Sequence, residues 1–104
     1  MTLSNRAAIV GIGATEFSKE SGRSELQLAV EAIGHALRDC GIAPSEVDGL
    51  TTFTMDNNSE IAVARELGMG ELRFFSRVNY GGGAACGTIQ QAAMAVATGV
   101  ADVV

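Results

Sequence analysis

Residues 78–98 read VNYGGGAACGTIQQAAMAVAT, a stretch in which a predicted strand is joined to a predicted helix through three consecutive glycines. Because Gly81, Gly82 and Gly83 lack a Cβ atom, their backbone can take positive φ angles and a ligand can approach it closely. A helix that starts directly after such a loop points unpaired backbone N–H groups towards it. This segment is therefore the first candidate for a site that acts on an acyl or phosphate group.

Two side chains beside the glycines are candidates for chemistry. Cys86 lies near the start of the predicted helix, where the positive end of the helix dipole favours a thiolate, so it is a candidate nucleophile. Free cysteines are also common small core residues, and core packing is the favoured interpretation of Cys86. Tyr80 can contact a substrate through its hydroxyl, with an ordinary half-buried tyrosine as the alternative of equal weight. The glycines themselves can form a simple tight turn, but a turn seldom needs three, which favours a functional interpretation.

The charge balance excludes some classes of partner. Seven basic and twelve acidic residues give a formal charge of −5 without any cluster of lysine or arginine, which argues against nucleic acid and anionic membranes. The apolar runs are too short to span a bilayer, and no signal peptide is recognisable. Two cysteines that lie far apart in such a chain fit free thiols. We therefore expect a cytoplasmic protein.

Apolar periodicity and turn residues predict strands and helices in alternating order, which is typical of an α/β sheet. The best-supported helix starts at Ser24, which forms a capping box with Gln27, and ends before Gly41. A shorter helix is capped by Ser59 or Asn58 and runs to Leu67, with Ile61 among its inward-facing residues. The predicted strands are 7–12, 50–54 and 72–78, and the last helix is 86–97.

The end of the chain differs from a usual domain boundary. The last helix is apolar nearly all round, which predicts packing on more than one side, between two sheets. Val100–Val104 then has the composition of the start of a buried strand, without polar closure. We interpret the chain as the N-terminal part of a longer protein.

The sequence does not support a dinucleotide site or a metal site. Gly11-Ile12-Gly13 follows a predicted strand as in dinucleotide-binding folds, but Glu16 stands where the third glycine belongs. The single histidine, His35, falls on the polar face of the first helix and is expected to be a solvated surface residue. No further ligands stand at metal-binding spacing, so no metal site is predicted.

Three stretches carry a family resemblance: GIGATEFSK at 11–19, DGLTTFTMD at 48–56 and NYGGGAAC at 79–86. With them, nearly the whole chain resembles the opening of thiolase-superfamily proteins. Within that superfamily it resembles the lipid-transfer-protein or sterol-carrier branch, and most of all actinobacterial aldolases that cleave the side chain of steroid acyl-CoA thioesters. The implied fold is α/β, a layered αβαβα arrangement of two similar halves. Residues 1–104 are then an incomplete N-terminal part of the first thiolase-like domain, with the remainder missing.

The resemblance also implies a mechanism. An ungapped comparison places the acyl-accepting cysteine of ordinary thiolases at Gly82, with Cys86 one helical turn further on. Because Gly82 cannot form an acyl-enzyme, Claisen condensation is disfavoured. Retro-aldol cleavage of a steroid β-hydroxyacyl-CoA needs only a base and an oxyanion pocket. The coenzyme A thioester is the substrate, and no separate cofactor is implied. The family's acid–base residues lie in later segments, so this chain alone is expected to be inactive.

Two alternative functions and two protein partners are also expected for the full-length protein. The full-length protein can instead be an acetyl-CoA acetyltransferase or another thiolase-type acyltransferase that uses Cys86, or a non-catalytic carrier of lipid or acyl-CoA. The resemblance implies a homodimer that pairs through Phe74–Val78, for which an ordinary internal strand is the alternative. It also implies an OB-fold partner protein.

Overall fold

The computed structural model describes residues 2–79 and 82–104, so Tyr80 and Gly81 lie outside the described residues. Helices and strands alternate along the described chain, as the sequence predicts. None of the described helices has both the length and the hydrophobicity needed to cross a membrane. The regular elements are α1 (Glu25–Cys40), β1 (Gly49–Phe53), α2 (Glu60–Leu67), β2 (Phe74–Val78) and α3 (Gly87–Ala97), with 3₁₀ turns at Pro44–Glu46 and Gly82–Ala84.

Helix α1 begins and ends where its sequence predicts. The Ser24 hydroxyl accepts a hydrogen bond from the Gln27 backbone N–H at 3.1 Å, and the Gln27 side chain accepts one from the Ser24 N–H at 2.8 Å. This capping box satisfies two N–H groups that a bare helix start leaves unpaired. Gly41 ends the helix with a φ angle of 71°, in the left-handed region that glycine tolerates best.

Helix α2 has the predicted cap but not the predicted inward face. The Ser59 hydroxyl accepts from the Ala62 N–H at 3.2 Å, which confirms Ser59 as the cap. The expectation that Ile61 faces inward is wrong, because its side chain is 60% exposed, whereas Val63 is 3% exposed. Successive residues are rotated by about 100° around a helix, so residues 61 and 63 lie on nearly opposite sides. The buried Val63 therefore marks the inward face of this short helix.

Strands β1 and β2 are parallel and pair from Gly49 with Phe74 to Phe53 with Val78. Helix α3 contacts both strands. On the face that it covers, the Ser76 hydroxyl donates to the Gln91 side chain. A Cβ atom added to Gly87 would lie only 3.4 Å from a Val78 methyl group, so this glycine lets α3 start close to the end of β2.

Most of the buried apolar side chains lie on α3 and the last residues of the chain, beside the sheet. They are Ala95, Ala97 and Ala101, with Val47 just before β1 and Val63 on α2. Helix α3 also carries Ile89 and Met94, which are 56% and 48% exposed. The described residues therefore cover only part of this apolar helix. Its location between two sheets stays a prediction, since one sheet is described.

The predicted first strand, residues 7–12, is not a strand in this structure. Its side chains are not buried either, since Ile9 is 72% and Ile12 76% exposed. A strand needs a neighbouring backbone within hydrogen-bonding reach. Here a cavity of about 1080 Å³ is lined by residues 5–11 and also by Gly49, Leu50 and Val104. The composition of the segment suits burial in a sheet, but no described strand pairs with it.

This N-terminal segment is instead attached to α1. The Ile12 N–H donates to the Asp39 carboxylate at 3.1 Å, and Nδ1–H of the exposed His35 donates to the Ala14 carbonyl at 2.9 Å. A Cβ atom on Gly13 would overlap the Ala32 carbonyl oxygen and lie 2.8 Å from the His35 Cβ. Gly11 meets the α1 backbone in the same way. Close helix packing therefore accounts for the Gly-Ile-Gly sequence, without a nucleotide.

Residues 100–104 do not form the strand that their composition predicts, although they lie beside β1. The Val103 carbonyl accepts hydrogen bonds from the backbone N–H groups of Asp48 and Gly49 at 3.0 and 3.1 Å. Ala101 is 1% exposed, as expected for a residue leading into a sheet. One carbonyl beside β1 is too little to make a strand, which needs a repeated ladder of hydrogen bonds.

The Asp48 carboxylate holds the starts of both strands and the end of the chain together. Its oxygens accept hydrogen bonds from the Val103 N–H at 2.9 Å and from the Asp102 N–H at 3.0 Å. The same carboxylate pairs with the Arg73 guanidinium at 3.4 Å, just before β2. Burial would raise the pKa of Asp48, but the two backbone hydrogen bonds and the charge of Arg73 outweigh burial and lower that pKa below its ordinary value.

We predict that Asp48→Asn lowers the free energy of unfolding of the intact protein by about 2 kcal/mol at pH 7, since charge-assisted hydrogen bonds are lost. A lowered folded pKa means that the stabilising effect is complete above the ordinary pKa of an aspartate and is lost as the pH falls through the folded pKa. The difference between wild type and variant should therefore be constant from pH 7 to about 5 and shrink below about 4. Urea denaturation at pH 7, 5 and 3 measures it.

Asp102→Asn is the control for this measurement. The Asp102 side chain is 81% exposed and pairs with Arg73 only at 3.7 Å. An exposed ion pair contributes little, so this variant should change stability by less than about 0.5 kcal/mol. A difference between wild type and Asp48→Asn that stays the same down to pH 3 would contradict the assignment to the Asp48 carboxylate.

Candidate functional site

The candidate site lies at the edge of the sheet where both parallel strands end. We call residues 82–86, just before α3, the glycine loop, and the segment 54–59, between β1 and α2, the Asp56 loop. The Thr54 N–H donates to the Val78 carbonyl at 2.9 Å, so the ends of the two strands lie side by side where the chain leaves the sheet. In open α/β sheets, ligands bind in the crevice outside the carboxyl ends of the strands. The fold thus places the glycines where a ligand site is expected.

Gly82 and Gly83 are the two described members of the three-glycine run, and their conformation and surroundings are as follows. They begin the 3₁₀ turn Gly82–Ala84, and the Ala85 N–H donates to the Gly82 carbonyl at 3.3 Å. Neither glycine has a positive φ angle, so the conformational freedom that a missing Cβ allows is not used at these two positions. A Cβ atom added to either would find no described atom within 4 Å. Backbone conformation and packing therefore leave these glycines unexplained, and their surroundings are open to a ligand.

The first turn of α3 offers fewer free donors than the sequence suggests. The N–H groups of Thr88 and Ile89 donate to the carbonyls of Ala85 and Cys86, each at 3.2 Å. The Thr88 hydroxyl also donates to the Ala85 carbonyl, at 2.9 Å. These short-range bonds tighten the start of the helix. Backbone donors for a negatively charged group must therefore come from residues that precede Thr88.

Cys86 is exposed, so the favoured expectation of core packing is wrong. It is the N-cap of α3, with φ and ψ of −67° and −15°, and its side chain caps no backbone group. It precedes the positions through which α3 contacts the sheet, such as Gly87 and Gln91, and this explains its exposure. Of the other predicted site residues, Tyr80 and Gly81 lie outside the described residues.

No pattern in the sequence indicates the contacts that Arg77 makes. Its guanidinium donates to the carbonyl of Asp56 at 2.8 Å and to that of Asn58 at 3.1 Å, and its Nε lies 3.8 Å from a Glu60 carboxylate oxygen. Within the Asp56 loop, the Asn58 N–H donates to the Asp56 side chain at 2.8 Å. Asp56-Asn57-Asn58 is typical of a turn, but no local pattern links it to an arginine some twenty residues later in the chain.

Two described cavities lie elsewhere. One of about 280 Å³ is lined by the start of β2 and the second half of α3, and the other is the N-terminal cavity already described. Neither is lined by residues 82–86. Within residues 2–79 and 82–104, no three histidine, cysteine or carboxylate side chains are grouped to hold a metal ion.

Comparison with known proteins gives close relatives, although no protein-family model matches the chain. It is 74% identical over 102 residues to the 17-hydroxy-3-oxo-4-pregnene-20-carboxyl-CoA lyase of Mycobacterium tuberculosis. It is 72% identical over 102 residues to the steroid side-chain-cleaving aldolase of Thermomonospora curvata. Each match covers 98% of this chain but 26% of the relative. The chain therefore spans about a quarter of the length of these relatives.

Solved structures give the same grouping. The chain superposes on an Ltp2-ChsH2(DUF35) aldolase with a TM-score of 0.92 at 72% identity, over 96% of this chain and 26% of that one. The priming β-ketosynthase of the R1128 polyketide pathway matches with a TM-score of 0.70 at 21% identity, over 89% of this chain and 38% of that one, which concerns the fold alone. The expected fold class, the N-terminal part of a thiolase-like α/β fold, is thereby confirmed. Over the residues that it spans, the chain is similar to steroid side-chain-cleaving aldolases.

Proposed function

We propose that the intact protein carrying this chain is a thiolase-fold aldolase that cleaves the side chain of a steroid β-hydroxyacyl-CoA by a retro-aldol reaction. The proposal is carried by Gly82, the position to which the resemblance to thiolases assigns the acyl-accepting cysteine of ordinary thiolases. The space around it is open, at the edge of the sheet where ligands bind. The names of the relatives, a carboxyl-CoA lyase and a side-chain-cleaving aldolase, support the same reaction class.

The proposed chemistry needs no covalent intermediate. A base removes the proton of the β-hydroxyl group, the Cα–Cβ bond breaks, and its electron pair moves into the thioester as an enolate. The enolate oxygen needs hydrogen-bond donors, and Cα then takes up a proton. A glycine in place of the nucleophile leaves room for the thioester without competing acyl transfer. The coenzyme A thioester is the substrate in this scheme, with no further cofactor, and we place the protein in the cytoplasm.

Two alternatives keep specific support. Acyl transfer through Cys86 is favoured by the exposure of this thiol at the start of α3. A non-catalytic carrier of lipid or acyl-CoA would use the same open glycine loop for binding alone. The first alternative requires a covalent acyl-cysteine, and the second requires binding without turnover.

Two protein partners belong to the proposal. Strand β2 has β1 on one side and no described strand on the other, and Phe75 on it is 63% exposed. An unpaired strand edge is a template for pairing with another chain, so we propose a homodimer through Phe74–Val78. We also propose an OB-fold partner protein, and the name of the Ltp2-ChsH2(DUF35) aldolase, which joins two components, supports a partner of some kind.

The aldolase proposal predicts turnover that does not depend on Cys86. The intact protein, purified from its own cells and checked by its mass, should convert a steroid β-hydroxyacyl-CoA into a carbonyl compound and a shortened acyl-CoA, followed by chromatography. Cys86→Ala should keep kcat within about twofold, because no covalent step involves the thiol. Cleavage that disappears together with a covalent acyl adduct on Cys86 would favour the acyltransferase, and binding without any product would favour the carrier.

Because the space at the glycine loop is open, a substitution there should change activity without changing stability. Gly83→Ala should leave the unfolding midpoint unchanged, because no described atom lies near the new methyl group. It should lower kcat at least about tenfold if the thioester approaches the backbone there. Gly13→Ala is the matched control, since its methyl group overlaps the α1 backbone. That variant should lose about 1–3 kcal/mol of stability and keep the kcat of the folded protein. An unchanged kcat in Gly83→Ala would contradict the assignment of this loop.

The dimer proposal predicts that a charge on β2 weakens self-association. Phe75→Arg should shift the intact protein from dimer towards monomer in sedimentation equilibrium, because a buried charge at a paired strand is costly. Ile61→Arg is the control, since Ile61 has a similar exposure of 60% but lies on α2. Equal masses for both variants and the wild type would speak against pairing through β2.

A further inference from the structure

The Arg77 guanidinium holds the Asp56 loop through hydrogen bonds to its backbone, and the geometry of these contacts suits arginine better than lysine. Two guanidinium nitrogens donate to two carbonyls of the loop, those of Asp56 and Asn58. The third nitrogen, Nε, faces Glu60 in the first turn of α2, whose side chain is only 19% exposed. A planar fork can serve three acceptors at once in this way, whereas a lysine ammonium on a flexible stem cannot hold the same geometry.

The same contacts connect the Asp56 loop to the end of β2. Arg77 is the residue before Val78, whose carbonyl accepts the Thr54 N–H at 2.9 Å. The Asp56 loop is therefore fixed to the end of β2 at two points, one through backbone and one through the Arg77 side chain. Gly82 follows only five residues after Arg77 along the chain. Both attachments therefore end on the last two residues of β2.

We propose that Arg77 is a positioning residue for the thioester site, which aligns the Asp56 loop and the glycine loop at the carboxyl edge of the sheet. This inference rests on the proposed function. Arg77 acts through the two loops and touches no reacting atom. Misplacement of a reacting group by about 1 Å can cost about a hundredfold in rate, so a loosened alignment should lower kcat more than it raises KM.

A purely structural role of Arg77 is the competing explanation, and β2 offers a matched control. Arg73 lies four residues earlier, just before the strand, and pairs with Asp48 at the opposite end of the sheet. The two arginine side chains have comparable exposure, 34% for Arg77 and 45% for Arg73. Removing either guanidinium removes ion pairing from the same segment, but only Arg77 borders the proposed site.

The experiment compares Arg77→Gln, Arg77→Lys and Arg73→Gln in the intact protein, each well below its unfolding midpoint. We expect Arg77→Gln to lower kcat at least about tenfold on a steroid β-hydroxyacyl-CoA with KM changed less than about threefold. Arg77→Lys keeps the charge opposite Glu60 but not the fork, so kcat should recover only in part. Arg73→Gln should lower the unfolding midpoint and leave kcat within about twofold. A kcat loss in Arg77→Gln no larger than in Arg73→Gln would overturn the proposal.

Amide hydrogen exchange provides a readout that does not require the proposed reaction. In Arg77→Gln and Arg77→Lys, exchange should become faster in residues 54–59 and also in residues 82–86, relative to Arg73→Gln. Faster exchange confined to 54–59 would show that Arg77 does not connect the two loops, and the inference would fail. If wild-type protein does not cleave the substrate at all, the proposed function fails instead, and the exchange pattern still decides the role of Arg77.

Discussion

The carboxylate of Asp48 is the interaction on which the described fold depends. It accepts the N–H groups of Asp102 and Val103 and pairs with Arg73, so that one side chain holds three separate parts of the chain. Charge-assisted hydrogen bonds are stronger than neutral ones, and here they meet at the point where both strands start. Because the strands are parallel and equal in length, fixing their starts also fixes where they end.

The two ends of β2 have different tasks. At its start, Arg73 pairs with Asp48, and the contacts there stabilise the sheet. At its end, Arg77 reaches the backbone of the Asp56 loop, and the contacts there shape the edge that carries the glycines. Residues 73 and 77 are separated by an even number of positions, so a pleated strand presents them on the same face. One short strand thus joins the Asp48 contacts to the candidate site.

Features encoded locally could be predicted from the sequence. The capping box of Ser24, the end of α1 at Gly41 and the alternation of helices and strands depend on residues close together in the chain, and each is present. Residues 7–12 failed as a strand because burial in a sheet depends on a partner that local composition does not supply. Cys86 was expected in the core because its residue type is often buried, whereas its place before the packed face of α3 leaves it exposed.

The candidate site could likewise be predicted only in part. Three consecutive glycines stand out in any single sequence, so Gly82 and Gly83 could be found. Their conformation could not, since the 3₁₀ turn that they begin depends on how α3 meets the sheet. Arg77 could not be found either, because its partners lie 19 and 21 residues away and are set by the register between two strands.

The Asp48 contacts join residues that are 54 and 55 positions apart, and this separation affects the order of folding. Closing a loop of that length costs roughly 3.5 kcal/mol of chain entropy, so the contact forms late in folding and only after synthesis has passed Val103.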